Sequence, residues 1–394
     1  MQVCDTLIRN ARVVDGSGAE PELLDVVVSG DRICAIGSRL DYAAGKIVDG
    51  AGFVLTPGFI DVHTHDDTNV IRTPEMLPKL SQGVTTVIVG NCGISAAPVR
   101  LVGDPPDPMN LLGDASVFQY PTFAAYVAAI DAARPTVNVA ALVGHTALRN
   151  NHMDRLDRAA SPAEIAAMRA QLIEGLECGA LGLSTGLAYL SANAATTEEV
   201  IALAEPLAGA CALYTTHLRS ETEGILDAMR EAFAIGGKCK VPVVISHLKC
   251  AGVDNWGRSG EVLQALESAR AKQPVGCDCY PYAAGSSTLA VAAHPGATKS
   301  ELIRHDFGFA GAILRPQVLA PMLQYQSAAM GALPTLRAAT DPTAMPGDYF
   351  GPGRFCGFTG NPSRARIGRR ATDRYLQERL WTTSENLTGV VYPI

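Results

Sequence analysis

No stretch of eighteen or more uncharged apolar residues occurs in this 394-residue chain, so no membrane-spanning helix is expected. The N-terminal segment MQVCDTLIRNARVVDG has no charged region followed by an apolar core, so no secretory leader is expected and the expected location is cytoplasmic. The ten cysteines have no regular spacing and are expected to be thiols rather than a disulfide framework. Neither an internal repeat nor a low-complexity tract is present. Charged residues make up only 18% against 47% hydrophobic, which implies a globular chain with a large core. The net charge of −7 argues against nucleic acid as a partner. Only eight histidines occur, and where they fall carries most of the functional information.

Residues 1–56 read as short strands joined by tight turns. Asp5 to Val14, Asp25 to Val28, Arg32 to Ile36 and Lys46 to Asp49 hold the apolar runs, and Asp15-Gly16, Ser29-Gly30-Asp31 and Asp49-Gly50 supply the turns. This predicts a small, incomplete β-sandwich domain with no catalytic residue in it. From Phe59 the pattern becomes strand, then helix, repeated. Candidate strands are 59–63, 84–90, 137–144, 180–184, 212–216, 241–246 and 275–280. A helix is predicted over Ser161 to Cys178, opened by an N-cap serine, a first-turn proline and an acid at the third position. Alternation of this kind predicts an α/β domain with a parallel sheet, closed into an eight-stranded TIM-type (β/α)8 barrel over residues 57–289.

Catalytic groups of such barrels sit at the C-terminal ends of strands. Here those ends read His63-Thr64-His65, Asn91-Cys92, Gly144-His145, Ser184-Thr185-Gly186, His217, His247 and Tyr280-Pro281-Tyr282. Five of the eight histidines thus lie at strand ends. Residues two apart in a strand share a side, which sends the His63 and His65 imidazoles off one face. Imidazole and thiolate are the usual ligands of zinc, so the cluster predicts a metal centre. Lys249, two residues past His247, leaves that strand on the ligand's side and could pair with a substrate carboxylate. Asp66 and Asp67 could orient the imidazoles or cap the next helix. His145 is expected to be structural or to support a ligand, and Tyr280 to face the core.

With these residues in hand the chain resembles the amidohydrolase superfamily and, more narrowly, the N-acyl-D-amino-acid deacylases (D-aminoacylases). The resemblance runs over about residues 5–289. It rests on TPGFIDVHTHDD, SQGVTTVIVGNCGIS, LVGHTALR, GALGLSTGLAY, YTTHLRSE, SHLK, NWGR and YPYAAGSST. It implies that Cys92, His217 and His247 hold one tight zinc ion, and that His63 and His65 line a second, weaker metal position with Cys92 able to bridge. It implies a reaction in which water activated by zinc cleaves the amide of a small N-acyl-D-amino acid, with Tyr189, Tyr282 and Ser287 lining the substrate pocket beside Lys249. Two alternatives stand beside it. One is a cyclic-amide hydrolase of the same superfamily, against which Asn91-Cys92-Gly93-Ile94-Ser95 argues. The other is a metal-binding relative without activity.

The resemblance stops near residue 289. The family pattern calls for an eighth strand ending in Ser-Asp-Gly and a later His-Pro-Arg segment, and neither motif occurs. Residues 290–394 carry ten Arg and one Lys against seven Asp or Glu, a net of +4 that leaves −11 for residues 1–289. The expectation is a divergent tail over 290–394, produced by a shifted frame or a replaced chain and solvated or disordered in part. Asp341 is the candidate for the proton-transferring carboxylate of strand eight, ahead of Asp348 and Asp306.

Overall fold

In the computed structural model, residues 2–280, 350–354 and 359–364 are described. The chain divides into two compact units, Met1–Pro281 and Tyr282–Ile394.

The first unit opens with five strands: β1 (Gln2–Val13), β2 (Glu22–Ser29), β3 (Arg32–Gly37), β4 (Tyr42–Asp49) and β5 (Val54–Leu55). Their order is β3-β2-β1-β4, with β5 also paired to β1. β1 runs antiparallel to β2 and parallel to β4 and β5. Among the described residues this is a single mixed sheet, not the two layers of a sandwich. Its own core is small, built on Cys4, Leu7 and Val27. Val3, Ile33 and Ile47 stay exposed.

The rest of the unit alternates strand and helix. In chain order come β6 (Phe59–Asp61), α1 (Asn69–Arg72), α2 (Leu77–Leu80), β7 (Val84–Val89), α3 (Phe123–Ala133), β8 (Asn138–Ala141), β9 (Val143–Gly144), α4 (His145–His152), α5 (Pro162–Glu177), β10 (Gly182–Gly186), α6 (Thr197–Ala204), β11 (Leu213–His217), α7 (Ile225–Cys239), β12 (Val243–Ile245), α8 (Ser259–Arg270) and β13 (Val275–Cys277). The strands pair in chain order and always in parallel, β6-β7-β8 and β9-β10-β11-β12-β13. β8 and β9 are one strand interrupted at Leu142. The Leu142 amide donates to the Val89 carbonyl at 2.9 Å and the Leu181 amide to Ala141 at 2.8 Å, so the ladder continues across the break. The result is the expected α/β architecture, a run of seven parallel strands. The eighth strand expected to close a barrel would fall outside the described residues.

Local chemistry explains the elements. β7 reads VTTVIV, β-branched at every position, which suits a strand flanked on both faces. α5 begins with the predicted capping box: Ser161 accepts from the Glu164 amide and Glu164 from the Ser161 amide. Met168, Leu172 and Gly175 then recur on its buried face. α7 buries Ile225, Ala228, Met229, Ala232, Ile235, Gly236 and Cys239, one continuous stripe. Each large apolar side chain so buried contributes about 1.5–3 kcal/mol. These stripes and the strands share one core cluster, which fixes where the strand ends lie. In the second unit the described residues form an antiparallel pair, β14 (Phe350–Arg354) with β15 (Thr359–Arg364).

Candidate metal centre

β6 ends at Asp61, so His63 and His65 stand on the irregular segment after it rather than on the strand expected over 59–63. Their rings still converge, edge to face at 5.6 Å. Lys79 holds this segment down by pairing with Asp61 at 2.6 Å and Asp66 at 3.1 Å. Asp66 also accepts from Thr64 and Asn69 and touches neither imidazole. Asp67 is buried and accepts from the Ala96 amide, joining this segment to the loop after β7; burial pushes its carboxyl up to about 7.

That loop carries Cys92 in the left-handed region, at φ +55°. Gly93 beside it has φ +76° and lies so close to β10 that a Cβ would meet the Gly186 nitrogen at 2.6 Å. A Cβ on Gly186 would meet the Cys92 carbonyl at 2.2 Å. Ser184 of β10 clamps the same loop, accepting from the Gly93 amide at 3.0 Å and donating to the Gly90 carbonyl. Two glycines and one serine thus hold a cysteine in a backbone conformation that non-glycine residues rarely adopt.

The Cys92 sulfur lies between two imidazoles, 3.2 Å from His63 Nε2 and 3.4 Å from His247 Nε2. His247 also has positive φ, +37°. The His217 ring stands 4.4 Å from that of His247 and 4.7 Å from that of Tyr189, whose hydroxyl lies 3.2 Å from His217 Nδ1. Two groups of potential ligand atoms result, His63–Cys92–His247 and His217–Glu221–His247, with His247 in both. The ring of Lys249 contacts is equally compact. Its ammonium pairs with Glu221 at 2.7 Å and lies 5.5 Å over the Tyr280 ring. Tyr280 thus turns towards the site, not the core as its place in the strand suggested.

The donor set fits a zinc ion. Bonds of about 2.3 Å to sulfur and about 2.05 Å to nitrogen in a tetrahedron separate the two donors by about 3.5 Å, near the observed spacings. The His65 Nδ1 is buried without a protein partner. Burial, followed by the charge of His63, pushes His65 down to about 4, and burial pushes His217 down to about 3, so both rings are neutral at pH 7. The Cys92 thiol is pushed up by burial and by Asp278 and Glu221, so within this protein alone it keeps its proton; a cation at the site reverses that balance.

Two carboxylates in this cluster have no role in the sequence reading. Glu221 accepts from His247 Nδ1 at 2.8 Å. Asp278 lies 3.1 Å from His63 Nδ1 and accepts from the His247 amide at 2.7 Å. Burial works to raise Glu221, but the hydrogen bond from His247 and the charges around it outweigh that and hold it near 2. The signal for Asp278 was its position at the end of β13; that for Glu221 was its place four residues past His217. His145 is fully buried and serves structure: its Nε2 lies 3.0 Å from Glu199, which also binds Arg149. Tyr282, Ser287 and Asp341 lie outside the described residues. All nine described cysteines are free thiols. No helix among the described residues is long and apolar enough to cross a membrane.

Comparison with known proteins identifies the family. Residues 46–300 match the amidohydrolase family, and the chain belongs to it. Over 288 residues it is 48% identical to a D-aminoacylase of Alcaligenes xylosoxydans xylosoxydans, covering 73% of this chain and 59% of that one. An N-acyl-D-glutamate deacylase of the same organism is 42% identical over 290 residues, 73% of this chain and 58% of its own. Among solved structures, a D-aminoacylase superposes with a TM-score of 0.71 at 46% identity, over 72% of this chain and 60% of that one. The N-acyl-D-glutamate deacylase of Bordetella bronchiseptica, solved with zinc and a phosphonate mimic of the tetrahedral intermediate, gives 0.68 at 41%, covering 71% and 59%. The chain therefore spans about three-fifths of the length of these relatives.

Proposed function

We propose that this protein hydrolyses the amide bond of N-acyl-D-amino acids, releasing a carboxylate and a free D-amino acid. Cys92, His217 and His247 would hold one tight zinc ion, and His63 and His65 a second, weaker position. The observation that carries the reading is the Cys92 sulfur set between the Nε2 atoms of His63 and His247, inside a chain 48% identical over 288 residues to a D-aminoacylase. When bound, zinc supplies a Lewis acid for the acyl carbonyl and lowers the pKa of a water ligand towards neutrality.

The chain's own residues do the rest. Lys249 pairs with the free α-carboxylate of the substrate and sets where the α-substituent points, which is how one enantiomer is chosen. Tyr189 would line the pocket, and the sequence assigns Tyr282 and Ser287 to it as well. Asp341 takes a proton from the attacking water and delivers it to the amine as the C–N bond breaks, help commonly worth roughly 10² to 10⁴ in rate. The fold reading that goes with this is a TIM-type barrel closed by an eighth strand from beyond residue 280. It is supported by the hydrogen bond from His63, after the first strand, to Asp278, after the seventh.

The test is hydrolysis of paired N-acetyl-D- and N-acetyl-L-methionine, leucine, glutamate and aspartate by the purified chain with zinc. Turnover of D-substrates alone is expected. Equal turnover of the L series, or none by folded, zinc-loaded protein, would overturn the proposal.

A further inference from the structure

We propose that Asp278 and Glu221 are positioning residues: Asp278 fixes the tautomer of His63 and the backbone of His247, and Glu221 holds His247 and ties the metal centre to Lys249. The inference rests on the function proposed above. Both histidines turn Nε2 towards the Cys92 sulfur, at 3.2 and 3.4 Å. On the far side of each ring a carboxylate takes Nδ1. Asp278 does so for His63 at 3.1 and 3.2 Å, and Glu221 for His247 at 2.8 Å. An ionised carboxylate only accepts hydrogen bonds, so His63, whose Nδ1 faces Asp278 alone, carries its proton there and presents the Nε2 lone pair, whereas His247 Nδ1 faces both Glu221 and the Lys249 ammonium. Two carboxylate–histidine relays thus converge on one sulfur, the arrangement that raises ligand basicity and fixes ring orientation at metal sites.

The relays differ in their second contact. Asp278 also accepts from the His247 amide at 2.7 Å, so one carboxylate fixes the ring of one histidine and the backbone of the other. That backbone bond helps hold His247 at its positive φ of +37°. Glu221 instead shares Oε1 with the Lys249 ammonium at 2.7 Å. Lys249 Nζ also stands 2.9 Å from His247 Nδ1, within reach to donate to the ring, so Lys249, Glu221 and His247 form one polar group. A substrate carboxylate arriving at Lys249 therefore finds an ammonium already paired with the residue that orients a metal ligand. Removing Glu221 disturbs both partners, whereas removing Asp278 disturbs only the histidines.

The experiment measures zinc affinity by chelator competition on metal-free wild-type, Asp278→Asn and Glu221→Gln protein, with folding checked by circular dichroism. Zinc affinity is expected to fall about 10- to 100-fold in both variants. At saturating zinc, Asp278→Asn keeps the wild-type KM for the N-acetyl-D-amino acid that the wild type turns over, and Glu221→Gln shifts it severalfold. Nitrogen NMR of metal-free wild-type protein should find His63 protonated at Nδ1. Wild-type zinc affinity in both folded variants would overturn the proposal, as would an Nε2–H tautomer of His63 in the wild type. If a variant fails to fold, that wild-type tautomer decides. A wild type that binds no zinc counts against the proposed function instead, and the tautomer still decides this one.

Discussion

At Cys92 the backbone is held away from its preferred state, at φ +55°, and burial and nearby carboxylates favour the protonated thiol. A metal ion bound at the sulfur would displace that proton. Cys92→Ala is expected to lose tightly held zinc, whereas Lys249→Ala keeps zinc and raises KM; metal analysis and steady-state kinetics separate the two. Full zinc retention in Cys92→Ala would refute the ligand assignment. The buried His145–Glu199–Arg149 group makes a stability prediction. Glu199→Ala leaves the Arg149 charge buried and should cost about 3–5 kcal/mol in denaturant unfolding. Burial works to raise Glu199, but its bond to His145 and the neighbouring charges outweigh that and hold it near 2, below its ordinary 4.5. The unfolded chain binds the extra proton between those values, so this stability is fully present above about pH 4.5 and is lost as pH falls towards 2. Glu199→Gln should flatten that part of a melting-temperature profile. Among single residues, five of the histidines were legible because each lies at, or just past, the end of a strand. Glu221 and Asp278 were not, since carboxylates are common and only the fold sets these two against Nδ1 atoms. Tyr280 was misread because its strand stops at Cys277, which frees its ring to turn under Lys249.

The alternation of strands and helices was readable from apolar runs and turn residues, and the start of α5 from its capping box. Boundaries moved where backbone contacts outweigh side-chain pattern. The strand expected at 180–184 is Gly182–Gly186, because Gly182 packs directly on β11, where a Cβ would meet the Leu213 carbonyl at 1.9 Å. The apolar run Ala180 to Leu183 pointed to an earlier start than the glycine contacts permit. The clamp between β10 and the Cys92 loop yields a prediction for these elements. Gly186→Ala has no room beside the Cys92 carbonyl, and should destabilise the fold by about 1–3 kcal/mol and weaken zinc retention. Gly260→Ala, in α8 with open space around it, should leave zinc retention unchanged. Equal zinc binding in both variants would mean that the clamp does not set the position of Cys92.

For the molecule as a whole, the family match ends at residue 300, close to where the charge changes from −11 to +4. Most of what the sequence placed before that point has a position in the structure: seven parallel strands, and the predicted ligands at their ends. The small N-terminal sheet was legible as strands but not as a layer, because its apolar positions do not say what lies against them. Asp341, proposed as the proton-transferring acid, and Tyr282 and Ser287, proposed for the pocket, fall outside the described residues. This one chain is proposed to carry a working zinc centre selective for D-substrates. The most direct measurement adds zinc stepwise to metal-free protein while following release of free amino acid from N-acetyl-D- and N-acetyl-L-methionine, leucine, glutamate and aspartate. The account predicts no turnover without metal, D-amino acid release that rises with zinc and levels off near one equivalent, and no L-amino acid release. Release that ignores zinc, or that proceeds equally from both enantiomers, would contradict it.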